Sequence, residues 1–91
     1  MFTSETRVAS RTGLLAAEAG GEVILLDPAS GLYFSFEGVG SEIWRRLGSP
    51  ISLLSLCDAL SEEYDASPED IRMQTIDFLS DMLEKRLIIA L

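Results

Sequence analysis

The spacing of apolar residues changes character near Glu37-Gly38, from short runs cut by turn residues to stripes recurring every three or four positions. Upstream of that point the chain reads as strands. Leu14-Leu15-Ala16-Ala17-Glu18-Ala19 runs into Gly20-Gly21, a pair able to take the positive φ angles of a two-residue hairpin turn, and then into Glu22-Val23-Ile24-Leu25-Leu26-Asp27. In the second segment Val23 and Leu25 point one way and Ile24 and Leu26 the other, so both faces are apolar and the segment is expected to be a central strand. Asp27-Pro28-Ala29-Ser30-Gly31 is a turn: the aspartate bonds its own backbone, proline presets φ and glycine supplies the left-handed position. A third strand follows over Leu32-Tyr33-Phe34-Ser35-Phe36, with Leu32, Phe34 and Phe36 on the core face and Tyr33 and Ser35 on the other. Whether Arg7-Val8-Ala9-Ser10 extends the first strand is left open by the pattern.

Downstream, Val39, Ile43, Trp44 and Leu47 form the stripe of a short helix ending at Gly48-Ser49-Pro50. Ser52 can cap a second helix with Leu53, Leu56, Cys57, Leu60 and Tyr64 along one seam. Ser67-Pro68-Glu69-Asp70 opens a third, with a serine cap, proline in the first turn and acids facing the positive end of the helix dipole. It carries Ile71, Met73, Ile76, Phe78, Leu79, Met82, Leu83 and Leu87, ending near Arg86, with Lys85 and Arg86 in the last turn. The expectation is one α+β domain over residues 1–91: a three-stranded antiparallel sheet at about 6–36, then helices at about 39–47, 52–64 and 68–86. That order of elements is a winged helix-turn-helix.

Composition narrows what such a domain can do. At 91 residues, 47% apolar and 24% charged, it is an ordinary globular chain that needs most of its apolar side chains for its own core, leaving little room for a deep active-site cavity. Seven basic against fifteen acidic residues give a net charge of -8, which repels phosphate backbones and anionic lipid heads and disfavours nucleic acid and membrane as partners. The same charge favours a peptide or enzyme partner bearing basic residues. With no histidine and a single cysteine, the commonest general base, the zinc-finger patterns and an internal disulfide are absent. Cys57 lies within the apolar seam and reads as a small buried hydrophobe. The acids Glu62-Glu63-Tyr64-Asp65 and Glu69-Asp70 lack the spacing of a calcium loop and read as a solvated helix-capping surface. Trp44 reads as a core anchor. No cofactor or metal is expected. Nothing at the N-terminus resembles a signal peptide and no run reaches a membrane span, so a cytoplasmic location is expected.

Two features remain unspent. On a helical wheel the apolar arc of the third helix covers roughly 220°, about twice what one packed face needs. Either the sheet and the other helices consume the whole arc, or part of it borders a groove; Arg72 lies inside it and must snorkel or meet an anion. The third strand is five residues without lysine or proline, so it invites another strand unless the N-terminal residues or a second copy cover it.

These residues, taken in order, resemble the PqqD-like family. The resemblance rests on Leu25-Leu26-Asp27, Gly31-Leu32-Tyr33-Phe34-Ser35-Phe36, Gly40-Ser41-Glu42-Ile43-Trp44-Arg45-Arg46-Leu47, Leu60-Ser61-Glu62-Glu63-Tyr64-Asp65 and Leu83-Glu84-Lys85-Arg86-Leu87-Ile88, and spans residues 22 to 88. Here Phe36-Glu37 replaces the family's Leu-Asn pair, which bears on the capping of the first helix. The resemblance implies a RiPP recognition element, a non-catalytic domain that binds the leader segment of a ribosomally made precursor by adding it as a strand to the third strand and settling it against the third helix. Carried onto this chain, the leader site would comprise Leu32, Tyr33, Phe34, Ser35 and Phe36 with Ile71, Arg72, Thr75, Ile76, Leu79 and Leu83. A free-standing domain of this kind looks most like the leader-binding protein of lasso peptide biosynthesis, with a transglutaminase-like cysteine protease and an ATP-dependent macrocyclase as partners. The alternative within the family is a peptide chaperone for a radical S-adenosylmethionine enzyme. From another class, a winged helix could read DNA, but Asp77, Asp81 and Glu84 line the polar face of the third helix where such a reader needs bases.

Overall fold

The computed structural model describes residues 2–91. The first sheet forms as the pattern requires. β2 (Leu15–Ala19), β3 (Glu22–Asp27) and β4 (Leu32–Phe36) are an antiparallel meander in the order β2-β3-β4, Ala19 opposite Glu22 and Asp27 opposite Leu32. Gly20 and Gly21 close the first hairpin at φ 60° and 81°. The second turn is held by the Ala29 N–H donating to Asp27 Oδ1 (3.1 Å) and the Gly31 N–H to the Asp27 carbonyl (2.7 Å). Val23 and Leu25 are buried, and Phe34 and Phe36 are half-buried beside them. Ile24 and Tyr33, on the opposite face, are exposed. β3 is therefore central by pairing but covered on one face only.

Two of the three helices start at a serine cap, and the first starts after Gly38 with no side-chain cap. α1 (Val39–Arg45) tightens into a 3-10 turn over Arg46–Gly48. α2 (Leu53–Glu63) is capped by Ser52, whose hydroxyl oxygen accepts from the Ser55 N–H. α3 (Pro68–Glu84) is capped in the same way by Ser67. α3 stops two residues earlier than its apolar pattern suggests, because Arg86 takes a left-handed conformation (φ 60°) and turns the chain out of the helix. Leu87, which reads as the end of the helical stripe, is buried beyond that turn together with Ile88.

A second sheet stands apart from the first and was not legible in the pattern. β1 (Arg7–Ser10) lies at its centre, antiparallel to both β5 (Ile51–Ser52) and β6 (Ile88–Ala90). Arg7–Ser10 thus does not extend β2, and the expected sheet over 6–36 is divided between two sheets. One core joins these layers, with Val8, Leu25, Ile43, Leu47, Leu53, Leu56, Leu60, Leu79, Leu87 and Ile88 almost fully buried. Trp44 belongs to it at 9% exposure.

Candidate peptide-binding site

β1 decides the state of β4. The N-terminal strand, which might have covered β4, is itself held between β5 and β6, and among the described residues β4 pairs with β3 alone. Half of its backbone N–H and C=O groups therefore face outward without a ladder partner, because the groups of successive residues in a strand point to opposite sides. β2 has a free outer edge as well. It offers alanines at three of five positions, however, and the hollow beside it is crossed by Arg45, which pairs with Glu18 (2.8 Å) and donates to the Gly21 carbonyl (3.3 Å).

α3 runs alongside β4 and meets it through aromatic side chains. Phe78 stands edge-on to Phe36 (ring centroids 5.2 Å, interplanar angle 74°), and Phe36 also lies 5.7 Å from Trp44. Gly40 permits this approach, since a Cβ there would lie 3.0 Å from Phe78 Cε1 and 3.7 Å from Phe36 Cβ. The Phe36–Phe78 contact bridges the trough between β4 and α3. Towards the N-terminal half of α3 there is a cavity of 240 Å³ lined by Val39, Leu60, Tyr64, Ile71, Gln74 and Thr75 among others. Towards its C-terminal end Leu32, Phe34, Lys85, Arg86 and Arg11, with Asp27 and Ser30 of the turn, surround a hollow of 400 Å³, and Lys85 Nζ lies 6.0 Å from the centre of the Phe34 ring.

The residues expected at the site divide into three groups. Leu32, Tyr33 and Ser35 are exposed and Phe34 and Phe36 half-buried, all on the open strand. Ile71, Thr75 and Leu79 are buried at 6%, 0% and 0%, so they belong to the core; the Thr75 hydroxyl is spent on the Ile71 carbonyl (2.7 Å), and Leu79 offers no groove surface. Ile71 and Thr75 reach only the wall of the smaller cavity. Arg72, Ile76 and Leu83 lie about 120–160° around the helix from Phe78, at ~100° per residue, and so point away from β4. Arg72 accordingly reaches Ser4 Oγ (3.3 Å), whose carbonyl accepts from the Leu54 N–H at the start of α2. The residues that do face the strand are Phe78 of α3 and Lys85 at its C-cap, with Gln74 and Asp81 on the same side of the helix. The signal was present in Phe78, a member of the apolar arc, but not which side of the arc would meet the sheet.

Electrostatics around the site follow from a few pairs. Asp27 at the start of the turn is pushed up by desolvation, but hydrogen bonds from Arg11, the Ala29 N–H and Ser30, with the attraction of Arg11, outweigh this and hold its carboxyl below the usual range. Burial pushes the Cys57 thiol up, against smaller opposing effects of Thr75 and Arg72, so this half-buried sulfur is a poor nucleophile. No group of three or more acidic, histidine or cysteine side chains among the described residues is placed to hold a metal ion. No helix among them is long and apolar enough to cross a membrane.

Comparison with known proteins adds to this geometry. The family described as coenzyme PQQ synthesis protein D (PqqD) matches residues 22–88, from the start of β3 to the start of β6. No protein of curated function matches the sequence. Among solved structures, TbiB1 in complex with the TbiA(beta) leader peptide superposes with a TM-score of 0.80 at 29% identity, over 88% of this chain and 93% of that one. Lasso peptide synthetase B1 complexed with the leader peptide gives 0.79 at 21% identity, over 90% and 96%, a likeness of fold.

Proposed function

The chain belongs to the PqqD family, and from that premise we propose that it binds the leader segment of a ribosomally synthesised precursor peptide by strand addition to β4. It catalyses nothing itself and delivers the precursor, in the cytoplasm, to a leader protease of the transglutaminase-like cysteine class and an ATP-dependent macrocyclase in lasso peptide biosynthesis. The observation that carries this reading is the unpaired edge of β4 beside α3. The leader complex of TbiB1, 29% identical, supports the choice of ligand. A DNA-reading role is disfavoured by the net charge of -8 and by exposed Asp77, Asp81 and Glu84 on α3.

In strand addition, main-chain hydrogen bonds align an extended peptide largely regardless of its sequence, and side-chain hollows select among peptides. Each new backbone bond contributes ~0.5–1.5 kcal/mol net and each buried apolar side chain ~1.5–3 kcal/mol. Two or three side chains lodged beside β4, one of them in the hollow next to Leu32 and Phe34, then offset the ordering of a flexible leader and leave micromolar to nanomolar affinity.

Adjacent residues of a strand face opposite edges, so of Tyr33 and Phe34 one N–H is bonded to β3 and the other faces outward. Tyr33→Pro and Phe34→Pro are therefore a matched pair. Fluorescence anisotropy with the labelled leader of the precursor encoded beside this chain's gene is expected to show binding in the unaltered protein. The proline variant that keeps a cooperative melting transition should lose binding by at least tenfold. Full affinity in that folded variant would refute strand addition at β4.

A further inference from the structure

We propose that the hollow at the C-terminal end of α3 is a subsite for an acidic side chain of the bound peptide, an aspartate or glutamate at the position opposite Leu32. This rests on the strand-addition reading and specifies its selectivity. Three of the seven basic residues of this chain, Arg11, Lys85 and Arg86, line this one hollow against a single acid, Asp27. Two are already matched: Arg11 pairs with Asp27 (2.9 Å) and Lys85 with Asp81 (2.9 Å). The third is not. The exposed Arg86 side chain makes no ion pair or hydrogen bond among the described residues, so one positive charge is left over.

The backbone bearing that charge is fixed in place. Arg86 holds φ at 60°, a conformation a branched or long side chain seldom adopts. It is kept there by Arg11, whose Nε donates to the Arg86 carbonyl (2.7 Å) and whose N–H donates to the Leu87 carbonyl (3.0 Å). Leu32, 57% exposed, and the half-buried Phe34 give the hollow an apolar wall suited to the methylene stem of an acidic residue. Directly opposed residues of paired strands share a face, so only the peptide residue across from Leu32 and those two removed from it turn towards α3. The net charge of -8 makes the preference local: elsewhere the surface repels acids, and at this end of the trough it draws one in.

The test is a charge scan of the same labelled leader, with Asp, Asn or Lys at each position in turn, read by anisotropy. At the position opposite Leu32, Asp is expected to bind about fivefold more tightly than Asn, with Lys weakest. The order should flatten in 0.5 M NaCl, where charges beyond a few ångströms are screened. It should also vanish in the Lys85→Gln, Arg86→Gln double variant, which leaves Arg11 and its bonds untouched. A leader that binds with no Asp preference at any position would overturn the subsite, as would a preference that survives both salt and the double variant. Failure of every leader to bind would instead remove the strand-addition reading, and the subsite with it.

Discussion

Single residues set how this fold responds to pH and where it tolerates change. Asp27 closes the turn between β3 and β4 and joins it, through Arg11, to the chain around Arg86. Its folded carboxyl ionises below the ordinary aspartate range, so the stability it contributes is present above ~pH 4 and is lost as pH falls through the depressed value. Asp27→Asn is thus expected to lower the urea midpoint at pH 7, and by less at pH 3, below the ordinary aspartate range, where the difference between folded and unfolded proton uptake shrinks. Urea unfolding of both proteins at the two pH values measures this. Gly40 matters for another reason: its missing side chain lets Phe78 reach Phe36, the contact that joins α3 to β4.

At the scale of elements, caps and edges decide most. Ser67 Oγ accepts from the Asp70 N–H (3.2 Å) and Pro68 occupies the first helical turn, which together fix where α3 begins. Ser67→Ala is expected to cost about 1 kcal/mol of folding stability, read from denaturant midpoints. Leader affinity should change little, since the folded trough is the same. β4 is an edge by consequence of what happens elsewhere. Were β1 to pair with it, the outward N–H and C=O groups would be consumed, but β1 finds two partners in β5 and β6. α3 likewise shows why its wide apolar arc was ambiguous. The arc has three sides: Ile71, Thr75, Leu79 and Met82 enter the core, Phe78 faces β4, and Ile76 and Leu83 face away from it.

For the whole molecule, the second sheet holds the two ends of the chain together. β6 packs Ile88 into the core at 2% exposure, and the Leu91 N–H donates to the Arg7 carbonyl (2.8 Å). Ile88→Ala is expected to cost ~2–5 kcal/mol, a large share of the ~5–15 kcal/mol that stabilises a domain of this kind. A fall of about 10–40 °C in melting temperature would be its calorimetric signature. Because β1 would loosen with β6, the same change should raise hydrogen exchange at Val8 and Ala9 more than at Val23 and Leu25.

Local pattern alone was enough to determine the β2-β3-β4 meander, its two turns and the starts of α2 and α3. Each depends on contacts between near neighbours: Gly20-Gly21 at positive φ, Asp27 bonding its own turn, and Ser52 and Ser67 bonding N–H groups three residues on. It also determined the family, through Leu32 to Phe36 and the helix bearing Ile43 and Trp44. Tertiary structure decided the rest. The strands β1, β5 and β6 are two to four residues long and pair across most of the chain, so no periodicity within any one of them announces the sheet. The side of α3 that meets β4 was set in the same way, by packing against distant segments. For that reason Leu79 went to the core and Phe78 and Lys85 to the trough, although spacing alone gave all three a place on the helix.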